Sequence, residues 1–184
     1  MGIISIEVAR PDFPVADRGK FADQDVKAAA KGFYVIRDFA EGPRHGYVVV
    51  QGSSSTVNLV KQIPALEQAG INVKIVSAIS EELFERQPEA YRNSVLPAGA
   101  MNDLMIVSTS TRRVWPVRNV GPLTDEYSMT PDFDHQWLTG GLEADVIAEA
   151  RLDSASIFSG VERFAKDRGQ RLERQRAMLD APAM

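Results

Sequence analysis

The sequence predicts an α/β fold with three layers, in which helices cover both faces of a mixed sheet of about five strands, one of them antiparallel. Segments 47–51 and 103–109 are continuously apolar at their centres, which is typical of strands buried on both faces. A helical pattern lies between 47–51 and the next strand, 72–77, and this order predicts a βαβ unit with parallel strands. Segment 33–39 alternates apolar and polar residues, and its short connection to 47–51 predicts an antiparallel hairpin.

Helix boundaries follow from capping residues, glycines and prolines. Asp23 is a candidate N-cap for a short helix that Gly32 ends. Pro64 lies within the helix of the βαβ unit and predicts a kink there, because its nitrogen cannot donate a backbone hydrogen bond. Ser80 is expected to cap a short helix, and Pro88 to open another helical turn. The rest of the prediction is an edge-strand extension at 112–117, a loop-rich stretch at 118–141, and helices at 142–152 and 156–179, the last of these charged and exposed.

Composition excludes several classes of function. The 184 residues suit one domain with a tail or arm, and a net charge of −4 gives no general attraction to nucleic acid or to an anionic membrane. The absence of cysteine excludes disulfides, thiolate zinc sites and cysteine nucleophiles, and it is compatible with a reducing cytoplasm, where we expect the chain to reside. No apolar run approaches the roughly 20 residues that a membrane-spanning helix needs.

The N-terminal segment predicts a missing neighbour. Residues 3–9 have the alternation and the Ile and Val content of a strand, yet no second strand follows for about twenty residues. A strand needs a partner for its backbone groups, so we expect this one to dock on another chain or to belong to a preceding domain. The predicted organisation is therefore a terminal strand and linker at 1–22 and an α/β domain at 23–184.

Residues 46–97 carry several motifs in a specific order. A strand leads into a Gly-Ser turn, a helix ends in the step Gly70-Ile71, and the next strand ends in Val76-Ser77. This combination resembles the third, C-terminal domain of transketolases. Upstream, Lys31 to Tyr34 match the step by which that domain begins, and residues 9–14 follow a strand as the closing motif of the preceding pyrimidine-binding domain does. The resemblance covers about residues 4–100 and includes one further set of matching positions: Glu82, Leu83, Phe84, Tyr91, Arg92, Ser94, Val95, Leu96 and Pro97.

The resemblance implies the C-terminal domain, or a split subunit, of an enzyme that moves a two-carbon ketol unit between sugar phosphates. Thiamine diphosphate and magnesium are implied for the complete enzyme, held by other domains, so the chain alone is expected to bind no cofactor, to lack catalysis and to support subunit association in a homodimer. The alternatives are another thiamine-diphosphate enzyme, either a 2-oxo-acid dehydrogenase component or a deoxyxylulose-phosphate synthase, and a non-catalytic binding module.

One substrate-binding residue is implied by the resemblance. Arg10 occupies the place of the family arginine that contacts the substrate phosphate, and a guanidinium offers phosphate a fork of donors. Pro11 and Asp12 depart from the family motif, and a carboxylate beside a phosphate is unfavourable. The alternative is a solvated arginine in a linker.

The Gly-Ser turn is a second candidate site. Ser53 and Ser54 lie between a strand and a helix, where backbone N–H groups and the helix dipole can hold an anion. The turn lacks the lysine of a P-loop and the spacing of a dinucleotide fingerprint, and such turns more often only cap the helix.

The remaining polar clusters favour structural roles. Asp132, Asp134 and His135 have no standard metal-site spacing and are more typical of a polar loop. His45 is expected to be exposed in a loop, and the sequence carries no nucleophile elbow for a hydrolase triad. Arg112 and its neighbour form only a small basic spot, too little for a nucleic-acid surface.

Overall fold

A mixed sheet of four strands forms the centre of the fold. The computed structural model describes residues 26–115, 120–132 and 138–180. The strands are β1 (Phe33–Arg37), β2 (Tyr47–Gln51), β3 (Lys74–Ala78) and β4 (Leu104–Ser108), and their order in the sheet is β1-β3-β2-β4. β2 pairs in parallel with both β3 and β4, whereas β1 is antiparallel to β3. The predicted α/β class with one antiparallel strand is confirmed.

Eight α-helices of the described residues surround this sheet. They are α1 (Ser53–Val60), α2 (Ile63–Gln68), α3 (Glu81–Glu85), α4 (Glu89–Val95), α5 (Pro122–Tyr127), α6 (Glu143–Glu149), α7 (Ser154–Lys166) and α8 (Arg168–Asp180). Short 3-10 helices cover Val26–Lys31, Ala98–Asn102 and Arg112–Val114. None of the helices in the described ranges has the length and apolar character needed to cross a membrane.

The predicted hairpin of β1 with β2 is wrong, because β3 lies between these two strands. The loop that joins them is bonded to the start of β3. The side chain of Asn72 accepts from the Ala40 N–H and donates to the Ala40 carbonyl, each at 2.9 Å. Its backbone N–H donates to Nδ1 of His45, also at 2.9 Å. These bonds hold the loop against the residues just before β3. β1 therefore pairs with β3 rather than with β2.

A single residue takes the place of a fifth strand. Met129 forms an isolated parallel bridge with Val107 of β4. Its N–H donates to the Ile106 carbonyl at 2.8 Å, and its carbonyl accepts from Ser108 N–H at 3.0 Å. The hydroxyl of Ser128 accepts the Ile106 N–H at 2.9 Å. The prediction of about five strands therefore agrees with the structure, but the predicted edge extension does not, because Arg112–Val114 is a 3-10 helix.

Alternate residues of the central strands face two separate cores, which confirms the three layers. Val48 and Val50 pack on one face with residues of α1, α2 and α7. Val49 packs on the opposite face with Phe84 of α3 and Val95 of α4. Because all three valines are fully buried, the continuous apolar run of β2 is explained by burial on both faces.

Capping residues end and begin the helices largely as predicted. Gly32 ends the first 3-10 helix with φ of +91°, and the Ser80 hydroxyl accepts the Leu83 N–H at the start of α3. Pro64 breaks the predicted helix into two rather than kinking it. It lies in the first turn of α2, where a missing N–H leaves no helical bond unmade. The predicted cap at Asp23 lies outside the described residues.

The C-terminal helix α8 is anchored by a buried charge. The prediction of an exposed charged helix is wrong at Arg171, which is only 3% exposed. Its Nη1 donates to Oδ1 of Asp103 at 2.8 Å, and its Nε and Nη2 donate to the carbonyl of Phe164. Arg168 donates to the other oxygen of the same carboxylate at 2.7 Å. Burial lowers the pKa of Arg171 and Asp103 opposes that shift, so the carboxylate stabilises the charged guanidinium.

Replacing Asp153 with alanine should lower the free energy of unfolding by about 1 kcal/mol at neutral pH. Its carboxylate caps α7 by accepting the N–H groups of Ala155 and Ser156, each at 3.0 Å. The Ser156 hydroxyl also donates to it, and these bonds hold the pKa of Asp153 below its ordinary value. The stabilisation is therefore present above the unfolded-state pKa, about 3.9, and is lost as pH falls through the lower folded-state pKa.

Urea unfolding at neutral pH and at about pH 2–3 measures this effect. Asp145→Ala is the matched control, because Asp145 is exposed in the first turn of α6 without capping it. Equal losses of stability from the two substitutions, or a loss from Asp153→Ala that does not shrink in acid, would contradict the capping role.

Candidate functional site

The carboxyl edge of the sheet contains the switch point of the fold. β2 leads into α1 on one face of the sheet, and its parallel neighbour β3 leads into α3 on the other face. The chain runs from β2 outward to β3 on one side and later to β4 on the other, so the strand order reverses between β2 and β4. This reversal leaves the crevice in which open α/β sheets usually bind ligands or partners. Residues 52–54 border it on the β2 side and residues 109–110 on the β4 side, while residues 79–80 follow the neighbouring strand β3 at the same edge.

Gly52 makes the turn from β2 into α1 with φ of +96° and ψ of 149°, a conformation open essentially only to glycine. Thr109, just after β4, lies against it, and a Cβ on Gly52 would overlap the threonine hydroxyl. The loop after β4 is held in place by Ser108, which donates to the side chain of Gln51 at 2.8 Å and accepts from the Ser110 N–H at 2.9 Å. Residues 51–52 and 108–110 are therefore closely packed at this edge and are joined by polar contacts.

Ser53 is exposed and Ser54 is half-buried at the first two positions of α1. Gly52 of this turn is the N-cap residue of the helix, and neither serine side chain makes a capping hydrogen bond. Instead, the hydroxyls of Ser55 and Thr56 donate back to the carbonyls of Gln51 and Gly52. Anion binding at Ser53 and Ser54 stays a prediction.

Two exposed apolar side chains lie on the β3 side of the edge. Ile79 is 56% exposed and Leu83 is 41% exposed, and we call them the Ile79 patch. The carbonyl of Gly32 accepts the N–H of Ile79 at 2.9 Å and that of Ser80 at 3.2 Å. Gly32 also lies against the backbone of Leu83. The patch therefore flanks the point where the described chain passes from its first helix into the sheet, and it offers apolar contact to another surface.

The structure describes only some of the other predicted site residues. Arg10, Asp134 and His135 lie outside the described residues, as does the side chain of the arginine that follows Arg112. Asp132 is half-buried and accepts the N–H of Arg112 at 3.3 Å. Within the described ranges, no group of three or more His, Asp or Glu side chains is placed to hold a metal ion.

His45 differs from its prediction. It lies in a loop as expected, but it is half-buried rather than exposed. Its side-chain Nδ1 accepts the backbone N–H of Asn72, and its backbone N–H donates to the Asn72 carbonyl at 2.8 Å. These two bonds make it part of the scaffold that positions β3.

The Ile79 patch and the Thr109 contact leave no local signal in the sequence. Ile79 directly follows the buried residues of β3, and the amino-acid sequence alone does not show at which residue burial ends. The contact of Thr109 with Gly52 joins residues far apart in the chain, so only the parallel pairing of β2 with β4 brings them together.

Comparison with known proteins gives a consistent result. The family described as "Transketolase-like TK C-terminal domain" matches residues 32–129, more than half of the chain. The transketolase of Aquifex aeolicus is 39% identical over 97 residues, which are 52% of this chain and 13% of that protein. The transketolase of Rhodobacter capsulatus is 38% identical over 86 residues, 47% of this chain and 12% of that protein. The chain thus spans about an eighth of these relatives.

Solved structures share the fold at lower identity. A transketolase of Pichia stipitis in complex with xylulose 5-phosphate is similar over 87% of this chain and 21% of its own, with a TM-score of 0.58 and 18% identity. The transketolase from Leishmania mexicana is similar over 79% of this chain and 19% of its own, with a TM-score of 0.53 and 23% identity.

The sheet order, the antiparallel edge strand and the switch-point turn define a three-layer α/β domain of the type found in transketolases. The chain belongs to the family of transketolase-like C-terminal domains.

Proposed function

We propose that this chain supplies the C-terminal domain of a transketolase-type transferase, as part of a longer polypeptide or as a split subunit. The complete enzyme moves a two-carbon ketol unit between sugar phosphates, and this domain supports its assembly without being catalytic alone. The observation that carries the proposal is the extent of the family match, because residues 32–129 include all four strands and end on Met129, the residue that bridges β4. The names of the relatives favour transketolase over the other thiamine-diphosphate enzymes.

The residues at the switch point do not fit thiamine diphosphate with magnesium. Magnesium prefers carboxylate oxygens together with phosphate oxygens, and this edge carries serine and threonine hydroxyls and an exposed isoleucine. The described part of the chain brings no three acidic or histidine side chains together. We therefore assign cofactor binding and ketol transfer to the other domains and derive no catalytic step from these residues.

The Ile79 patch is the surface that we propose for contact with the preceding domain. Its two side chains flank Gly32, beside the helix Val26–Lys31 through which the chain reaches this domain. We propose that a domain attached upstream of residue 26 packs on this patch. Removing the exposed isoleucine and leucine side chains from water in such a contact would lower the free energy and so stabilise it.

The remaining features of the proposal concern partners and place. We propose a homodimer for the complete enzyme and cytoplasmic localisation, with neither nucleic acid nor membrane as a partner, since the net charge is −4. One relative, from Solanum tuberosum, is a chloroplast transketolase, so the localisation depends on the organism. Arg10 remains the proposed ligand of the substrate phosphate in the assembled enzyme.

A domain replacement tests the proposal. The C-terminal domain of the Aquifex aeolicus transketolase is replaced with residues 26–184 of this chain, and ketol transfer from xylulose 5-phosphate to an aldose phosphate is measured. The isolated chain, given thiamine diphosphate and magnesium, serves as the comparison and is expected to show no turnover.

Variants of the hybrid test the docking surface separately. Ile79→Ser together with Leu83→Ser should weaken assembly, seen as a loss of dimer in sedimentation and of activity at low concentration. Leu142→Ser is the matched control, because Leu142 is 76% exposed in the segment before α6, away from residue 32 in the chain. Equal effects of the control and the double variant would contradict the assignment of the Ile79 patch.

A further inference from the structure

A groove of about 420 Å³ opens between the segment that bridges β4 and the helix α7. One wall consists of residues 125–130, which are the end of α5 and the segment that leads from it through the Met129 bridge. The other wall consists of residues 150–151 and one side of α7. This volume suits a small molecule.

The second wall lies outside the segment that matches the transketolase-like family, which ends at residue 129. The close contact between the two walls depends on Gly160, because a Cβ at that position in α7 would overlap the sulfur of Met129. The groove is therefore built where the family sheet meets helices that the family match does not include, and it is separate from the carboxyl-edge site of residues 52–54 and 79–80.

Three arginines, Arg112, Arg151 and Arg163, line the groove. Its two carboxylates already have cationic partners. Both oxygens of Asp125 accept from Nη1 of Arg112, at 2.9 and 3.1 Å. Both oxygens of Glu126 accept from Arg174, at 2.7 and 2.9 Å, and this bond holds the pKa of Glu126 below its ordinary value.

Arg163 is the cation of the groove with spare donors. Its Nη2 donates to the backbone carbonyl of Glu126 at 3.0 Å, and its guanidinium lies 4.9 Å from the centre of the Tyr127 ring. None of the described carboxylates lies within ion-pair distance of it. A carbonyl and a ring face leave most of its five N–H donors available to an anion.

Thr130 provides an independent indication of a ligand. It lines the groove and is only 1% exposed, yet its hydroxyl has no hydrogen-bond partner among the described residues. A buried hydroxyl without a partner destabilises the fold, and such groups need an explanation. A ligand oxygen in the groove would supply the missing partner after a small side-chain adjustment.

We propose that this groove binds a small phosphorylated molecule, whose phosphate group is held by Arg163 and Thr130 with Arg151 adding positive charge beside it. A phosphate monoester carries more charge than a single carboxylate and three acceptor oxygens, which matches two guanidinium groups and a hydroxyl. The apolar part of the ligand would lie against Met129 and Gly160. The inference goes beyond the proposed function and does not depend on ketol transfer.

Titration of the full chain with inorganic phosphate, followed by NMR at low ionic strength, tests the site. Saturable shifts are expected at groove residues, and sodium chloride at equal ionic strength should not produce them. Arg163→Gln should weaken phosphate binding about tenfold or more, the loss expected for a charge-assisted hydrogen bond. Arg176→Gln removes the same charge from an exposed position of α8 outside the groove and should leave binding unchanged.

Thr130→Val gives a second test that does not remove a charge. Valine has the shape of threonine without the unpartnered hydroxyl, so the unliganded variant should melt at a higher temperature than the parent chain while binding phosphate more weakly. The proposal is overturned if phosphate produces no saturable shift, if Arg163→Gln and Arg176→Gln weaken binding equally, or if malonate binds as well as phosphate. It is also overturned if Thr130→Val binds phosphate as the parent does, whether or not Arg163→Gln folds.

Discussion

Replacing Asp103 with asparagine should lower the free energy of unfolding by about 3–5 kcal/mol. The substitution keeps the shape of the side chain but removes the charge that Arg171 and Arg168 both contact, at 2.8 and 2.7 Å. Arg171 is 3% exposed and would remain buried with only uncharged partners, which are the new amide oxygen, the Phe164 carbonyl and two aromatic rings. Since arginine does not deprotonate in proteins, its charge must stay buried without compensation or leave the core.

Chemical denaturation of the two proteins at neutral pH measures this difference. Glu126→Gln is the matched control, because it breaks a bidentate ion pair with Arg174 whose side chains are 44% and 47% exposed. Exposed ion pairs contribute little to stability, so the control should be nearly neutral. A loss at Asp103 no greater than that at Glu126 would mean that α8 is not anchored by this buried charge.

Replacing Gly52 with alanine is expected to destabilise the fold by about 3 kcal/mol or more, the sum of backbone strain and steric overlap. The glycine has φ of +96° and ψ of 149°, which a residue with a Cβ rarely adopts. The added methyl group would also overlap the hydroxyl of Thr109. The loss should appear in thermal and urea unfolding as a lower midpoint with an unchanged urea slope.

Two comparisons separate strain from overlap. Gly70→Ala is the first, since Gly70 has φ of +68° but no atom within 4 Å of the added Cβ, and its expected loss is only about 1–2 kcal/mol. Thr109→Ala is the second, and in the Gly52→Ala background it should recover about 1–2 kcal/mol by removing the overlapping hydroxyl. Equal losses at Gly52 and Gly70, with no recovery, would contradict the packed edge described for the switch point.

The layers of the fold were predictable because burial on two faces leaves a local pattern. The apolar run of β2, the apolar run of β4 and the helical pattern between β2 and β3 can each be recognised within one short stretch of the chain. The partner of β1 was not predictable in this way. It depends on Asn72, whose side chain and backbone bind both ends of the preceding loop and so place β3 beside β1.

The sites were less predictable, because they join residues that are distant in sequence. The arginines of the groove come from a 3-10 helix, a turn and α7, and each in isolation is a normal surface residue. Arg171 belongs to a run of charged residues that favours an exposed helix, and only the folded chain brings it to Asp103. The turn at Ser53 was found because glycine and serine between a strand and a helix form a local signal.

The most direct test of the assignment is the rate of ketol transfer by the hybrid in which residues 26–184 replace the C-terminal domain of the Aquifex aeolicus transketolase. We predict a dimeric hybrid that transfers the ketol unit from xylulose 5-phosphate, whereas the isolated chain shows no transfer. A hybrid that folds and binds thiamine diphosphate but remains monomeric and inactive would contradict the account, as would measurable turnover by the isolated chain.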